Sequence, residues 1–183
     1  MPFLRAVIPI LALVLASPAG ANDAIDAFLG AYVGSGVAEL PDGTTEIRDM
    51  DVSVEPYKDD GFTIRWITVI HKGDRTSPDV RRRAVEEDFL PSEDKPGVYI
   101  LAPRGSVFQK AELPNPLEGE PMRWATINAN TLTVYSLGIT TEGTSEMQIY
   151  HRTLTEKGMD VAFLRLHDEA VELRVAGTLV KTD

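Results

Sequence analysis

The stretch Phe28–Leu40, FLGAYVGSGVAEL, sets glycines at 30, 34 and 36 around one tyrosine, Tyr32. It reads either as a phosphate-binding loop or as a strand. A dinucleotide-binding fingerprint needs its glycines between a strand and a helix, with a third glycine in G-x-G-x-x-G; here Gly34-Ser35-Gly36 runs straight into VAEL. A phosphate loop also needs a lysine directly after its last glycine, and Val37 stands there. What remains is mechanical. Glycines inside a strand let it bend sharply or lie close against another backbone, as at the corner of a barrel. The stretch is therefore expected to be the first strand of a β-barrel.

Downstream, the same kind of segment recurs. Runs rich in Val, Ile, Thr, Tyr and Trp lie near Ala31–Leu40, Ile47–Pro56, Phe62–His71, Val80–Phe89 and Val98–Ala102. Others follow near Val107–Leu113, Met122–Ile127, Thr131–Ile139, Ser145–Leu154, Met159–Leu166 and Ala170–Val180. PDGT, KDDG, DKPG, NAN, TTEG, TEKG and HDE punctuate them, and nearly all contain Gly, Asn or Asp, which adopt positive φ cheaply. About ten strands in series, with no helix long enough for a parallel crossover, imply an all-β antiparallel meander. Closure removes exposed edges, so an up-and-down barrel is preferred to a sandwich. Strand polarity stays open: FTIRWITVI puts Phe62, Ile64, Trp66 and Ile70 on one face and Arg65, Ile67, Val69 and His71 on the other, and both faces are partly apolar.

Upstream, NDAIDAFLG offers a short helix: Asn22 or Asp23 caps it, Ile25, Phe28 and Leu29 share a face, and Gly30 stops it. Before that come Arg5, the apolar run AVIPILALVLA and SPAGA, with small residues at Ala19 and Ala21. This is the layout of a cleavable secretion signal over residues 1–21, leaving one domain over 22–183. The run is shorter than the roughly 20 apolar residues of a spanning helix and contains Pro9. A periplasmic location is expected, with no membrane span. Loss of the leader removes Arg5 and no acid, moving the formal charge of −10 to about −11. Such a balance argues against nucleic acid or anionic lipid as partner. The one basic cluster, Arg81–Arg83, is followed by Glu86, Glu87 and Asp88 and reads as a solvated, self-compensating strand or turn. With no cysteine, stability rests on burial alone.

A short helix leading into GAYVGSG resembles the G-x-[WY]-x-G-x-G opening of nitrobindin-like domains and, more loosely, the G-x-W opening of lipocalins. LRVAGTLVK, at the other end, is similar to the last strand of nitrobindin-like domains. The resemblance implies a calycin-type barrel that carries a ligand inside. In that family a histidine near the start of the last strand holds haem iron; Arg174 stands at that place, and arginine does not ligate iron. The barrel is carried over and the haem is not, so no cofactor is expected.

Candidate site residues follow from the strands. Trp66, Trp124, Tyr135 and Tyr150 lie far apart in sequence, and a closed sheet can bring them to one cavity or pack them as core. Arg65 or Arg165 could meet an anionic ligand group if either points inward. His71, His151 and His167 show no metal-ligand spacing, Asp49 and Asp51 read as an exposed strand face, and no serine sits in a G-x-S-x-G elbow. The proline-rich excursion between Ala102 and Arg123 either folds over a barrel mouth or just connects two strands. The leading expectation is a barrel that binds a small apolar or amphiphilic molecule through Trp66, Trp124, Tyr135, Arg65 and Arg165. A filled accessory module of the cell envelope is the alternative, and a barrel enzyme the third reading.

Overall fold

The computed structural model describes residues 21–58, 60–73, 75, 76, 78–103 and 114–182. A short helix, α1 (Ala21–Asp26), precedes ten strands: β1 (Gly30–Glu39), β2 (Thr45–Tyr57), β3 (Gly61–Lys72), β4 (Val80–Pro91), β5 (Val98–Leu101), β6 (Met122–Asn128), β7 (Thr131–Ile139), β8 (Ser145–Thr155), β9 (Gly158–His167) and β10 (Ala170–Thr182). Each strand pairs antiparallel with its neighbours in sequence, and β1 pairs with β10, so the sheet is a closed up-and-down barrel. This is the all-β, closed antiparallel architecture expected from the hairpin series. The expected strand over 107–113 lies outside the described residues.

Two hairpins use the same turn. In Leu40–Thr44 the amide of Gly43 donates to the Leu40 carbonyl and that of Leu40 to Thr44; in Thr140–Thr144, Gly143 and Thr140 repeat both bonds. Gly43 and Gly143 stand at φ 82° and 83°, where a side chain would cost about 1–2 kcal/mol. The glycines of β1 act differently. A Cβ at Gly34 would lie 2.1 Å from the Thr178 carbonyl oxygen, and one at Gly36 2.5 Å from that of Ala176. The seam between first and last strands closes because no side chain stands between those backbones, which is the role read for FLGAYVGSGVAEL. Along that seam Val33 through Val37 pair with Val180 through Ala176.

One end of the barrel is solid. Phe28, Tyr32, Phe62, Ile64, Phe89 and Tyr99 are essentially inaccessible, with Phe62 stacked on Phe89 at 5.2 Å and edge-on to Tyr99 at 5.1 Å. Helix α1 plugs this end with Ile25, and Tyr32 donates a hydrogen bond to the Phe28 carbonyl at 2.9 Å. Burial of each large apolar side chain here stabilises the fold by about 2–3 kcal/mol. The open polarity of β3 is thereby decided: Phe62 and Ile64 are buried, so Trp66 and Ile70 share the inward face, and Arg65 is exposed.

Candidate functional site

Above the packed end the barrel holds a cavity of about 370 Å³. Its floor is aromatic and cationic. Trp66 from β3 and Tyr150 from β8 meet across the barrel with ring centroids 5.2 Å apart, and Tyr150 continues onto Phe163 of β9 at 4.6 Å. Arg152, two residues from Tyr150 on the same inward face, lies 5.1 Å from the Trp66 ring and 5.6 Å from the Tyr150 ring.

Arg152 is 3 % exposed, its Nη1 has no hydrogen-bond partner, and among the described residues it pairs with no carboxylate. Burial pulls its pKa from the ordinary value down to about 10, against the opposing pull of Tyr150 and Glu87. Burial also raises the Tyr150 phenol, opposed by the positive charges of Arg152, Arg123 and Arg83. Three guanidinium charges thus act on one phenol, whose hydroxyl donates to Gln148 at 2.6 Å.

The lining divides into two arcs. On β2, β1, β10 and β9 it is apolar, with Met50, Val52, Phe163, Leu173 and Val175. The charges on this side are matched: Arg48 with Glu46 at 3.1 Å, Arg165 with Glu172 at 3.0 Å. On β4, β6, β7 and β8 the lining is polar, with Arg81, Arg83, Glu87, Arg123, Ser136 and Arg152. Among the described residues only one cation on this side has an acid: Arg123 pairs with the buried Glu87 and also donates to Ser136 at 3.3 Å.

Of the side chains expected from the sequence, Trp66 and Arg165 line the cavity. Trp124, Tyr135 and Arg65 do not, and their expected inward placement is corrected. Trp124 alternates with Arg123 and Ala125, and Tyr135 with Val134 and Ser136, whose side chains fill the interior or line the cavity. They stack on each other at 5.0 Å as a cross-strand pair on the other face. Arg65 pairs with Glu86 at 2.7 Å, both half-exposed. Arg165 is already ion-paired with Glu172, although its Nε–H does not point along the hydrogen-bond direction.

The expectation for Arg81–Arg83 holds in one half, since the run lies solvent-exposed on strand β4, and is corrected in the other, its self-compensation. Strand alternation splits the run, sending Arg81 and Arg83 to the cavity, while the following acids serve other partners: Glu86 meets Arg65, Glu87 meets Arg123, and Asp88 accepts from Thr63 at 2.6 Å. Arg152 was missed altogether. Its signal was available: Gln148, Tyr150, Arg152 and Leu154 alternate on one face of a strand, and the aromatic and aliphatic members mark that face as inward.

The histidines each meet a local partner. His71 contacts Asp49 at 2.9 Å, where Arg75 also bonds; His151 contacts Thr133 at 3.0 Å; His167 contacts Thr144 and Glu172. Among the described residues no three His, Cys, Asp or Glu side chains gather as a metal site, and no helix is long and apolar enough to cross a membrane. Arg174, at the place compared with a haem ligand, is exposed on the outer face. The 3₁₀ turn Pro116–Glu118 is capped by Asn115 and packs against β7; residues 104–113 of the same excursion lie outside the described residues.

No protein-family model and no curated protein matches the chain. Among solved structures, the S-type phycobiliprotein lyase CPES from Guillardia theta is similar to it at 8 % sequence identity with a TM-score of 0.43, over 90 % of this chain and 94 % of that one.

Proposed function

We propose that the protein binds a small amphiphilic anion in the mouth of its barrel, with the acid group on Arg152 and the apolar part along the β9–β10–β1–β2 arc. The observation that carries this reading is the buried, carboxylate-free guanidinium of Arg152 on an aromatic floor. A buried charge without a partner is costly, and a carboxylate or phosphate oxygen is the group that satisfies it best. The apolar arc supplies the rest of a small-molecule site: mostly hydrophobic lining with a few placed polar groups. An open cavity favours this reading over a filled accessory module.

The same proposal takes the chain as exported to the periplasm by a leader over residues 1–21, and as using a nitrobindin-like barrel without haem. Intact-mass measurement of the protein from its own envelope checks the leader, with Asn22 as the expected first residue. Calorimetric titration with decanoate, decanol and decyltrimethylammonium checks the ligand class. Decanoate is expected to bind more than tenfold tighter than either of the others, and Arg152→Met to abolish the difference. Equal binding of decanol and decanoate would leave a purely apolar site, and no binding by any of them would overturn the reading.

A further inference from the structure

Twenty-eight acidic side chains are available to this chain, yet among the described residues the β4–β8 arc of the cavity holds only one, Glu87, against four arginines. The opposite arc treats its charges differently, each arginine standing beside a glutamate within 3.1 Å. Lys72, at the rim on β3, is likewise matched by Asp79 at 3.1 Å. The excess positive charge is therefore confined to one side of the cavity. It comes from Arg81, Arg83 and Arg152, since Glu87 answers Arg123.

These groups form a graded column. Strands β3 and β4 rise from the packed end in opposite chain directions, so on β4 the order from floor to mouth is Glu87, Val85, Arg83, Arg81. Arg83 stands opposite Thr68 and Arg81 opposite Ile70, one inward step apart, about 7 Å along the strand. Arg83 lines the same cavity as the buried guanidinium, and its charge acts on the Tyr150 phenol together with those of Arg152 and Arg123. One anionic charge would answer Arg152 and leave Arg81 and Arg83 facing it. A head group with two charges would answer Arg152 with one and Arg83 with the other.

Resting on the function proposed above, we infer that the ligand's head group carries two negative charges, as a phosphate monoester or a dicarboxylate does, and that Arg83 with Arg81 selects for the second charge. Arginine suits this task because its planar fork binds phosphate and carboxylate oxygens two at a time.

Decyl sulfate and decyl phosphate separate this inference from the one it rests on. Their head groups have the same shape, but sulfate holds one charge at every working pH, whereas the phosphate monoester passes from one to two charges near pH 6. Titration at about pH 5 and about pH 8, in low salt, is expected to show similar affinities at the lower pH. At the higher pH decyl phosphate should bind about tenfold tighter, with decyl sulfate unchanged and the gap closing as salt is added. Arg81→Gln with Arg83→Gln should remove that gap while keeping decyl sulfate binding, with circular dichroism confirming the barrel. Decylmalonate tells whether a dicarboxylate gains in the same way. Equal binding of decyl sulfate and decyl phosphate at about pH 8 would overturn the second charge and leave an amphiphilic monoanion site standing. A preference that survives the double substitution would overturn the role of Arg81 and Arg83. Binding of neither probe would remove both readings.

Discussion

Arg152 on β8 and Trp66 on β3 meet across the interior of the barrel, guanidinium carbon to ring centroid 5.1 Å, from strands on opposite sides of the closed sheet. No pair of neighbouring strands can make this contact. The cavity floor is therefore a product of closure, and the site and the barrel stand or fall together.

Replacing Arg152 by methionine should separate stability from binding. At neutral pH the folded state holds a desolvated charge, so the apolar variant is expected to be as stable as the parent or more so, by up to about 3 kcal/mol. The sign follows from its pKa, about 10 in the fold, below the ordinary guanidinium value that holds when unfolded. Between those values the unfolded chain holds the extra proton, so the parent gains stability as pH rises there, and below about 10 the penalty is fully present. Urea unfolding with the decanoate titration checks both halves; a large loss of stability in the variant would show that an ion partner had been removed.

The two tryptophans should report differently. Trp66 lines the cavity and Trp124 stacks on Tyr135 away from it. Ligand is expected to change the fluorescence of Trp124→Phe as it does the parent's, and to leave that of Trp66→Phe nearly still. The reverse pattern would put the ligand on the outer face.

At the seam, Gly34→Ala is expected to be severe. Its Cβ would meet the Thr178 carbonyl at 2.1 Å, and backbone must move. Overpacking of that kind costs about 3 kcal/mol, a fall in Tm of roughly 6–12 °C for a chain of this size. Gly43→Ala meets nothing within 4 Å and should cost only the positive φ, about 1–2 kcal/mol. Thermal scans of the two variants side by side make the comparison.

On the outer face, Asp49 accepts from Arg75 at 2.7 Å and contacts His71 at 2.9 Å, and the Arg75 bond chiefly holds its pKa below the ordinary carboxylate range. A depressed carboxylate stabilises the fold above its unfolded value of about 3.9, and that contribution is lost as pH falls through the folded value. With Asp49 partly exposed, Asp49→Asn should cost less than about 1 kcal/mol at neutral pH, and parent and variant should converge at acid pH, once the folded carboxylate is protonated. Denaturant unfolding at both pH values tests it.

Hairpin chemistry made the fold legible in the sequence. PDGT and TTEG form the same turn, HDE turns on Asp168 and Glu169 at positive φ, and the glycines of β1 lie where backbones touch. The site was only half legible, because facing is a tertiary property. Ile67 and Val69 are apolar and half-buried on the outward face of β3, which blurs its alternation and makes Arg65 look as eligible as Arg152. Large aromatics mislead in the same way: Trp124 and Tyr135 satisfy each other across two strands, an arrangement that composition does not distinguish from cavity lining. Arg165 looked like a free cation until the irregular pairing between Val171 and Leu173 in β10 was seen to bring Glu172 against it.

Pairing of β1 with β10 also sets an order in time. Gly36 faces Gly177, nearly the whole chain later, so the first strand made must wait for the last before its second edge is satisfied. Every other strand pairs with a neighbour in sequence, and those local hairpins can form early; the seam brings together distant segments at a loop-closure cost that only complete assembly repays. Folding of this chain is then a whole-length event, and a fragment ending at Glu169 would carry two raw edges, β1 and β9, open to pairing with other chains.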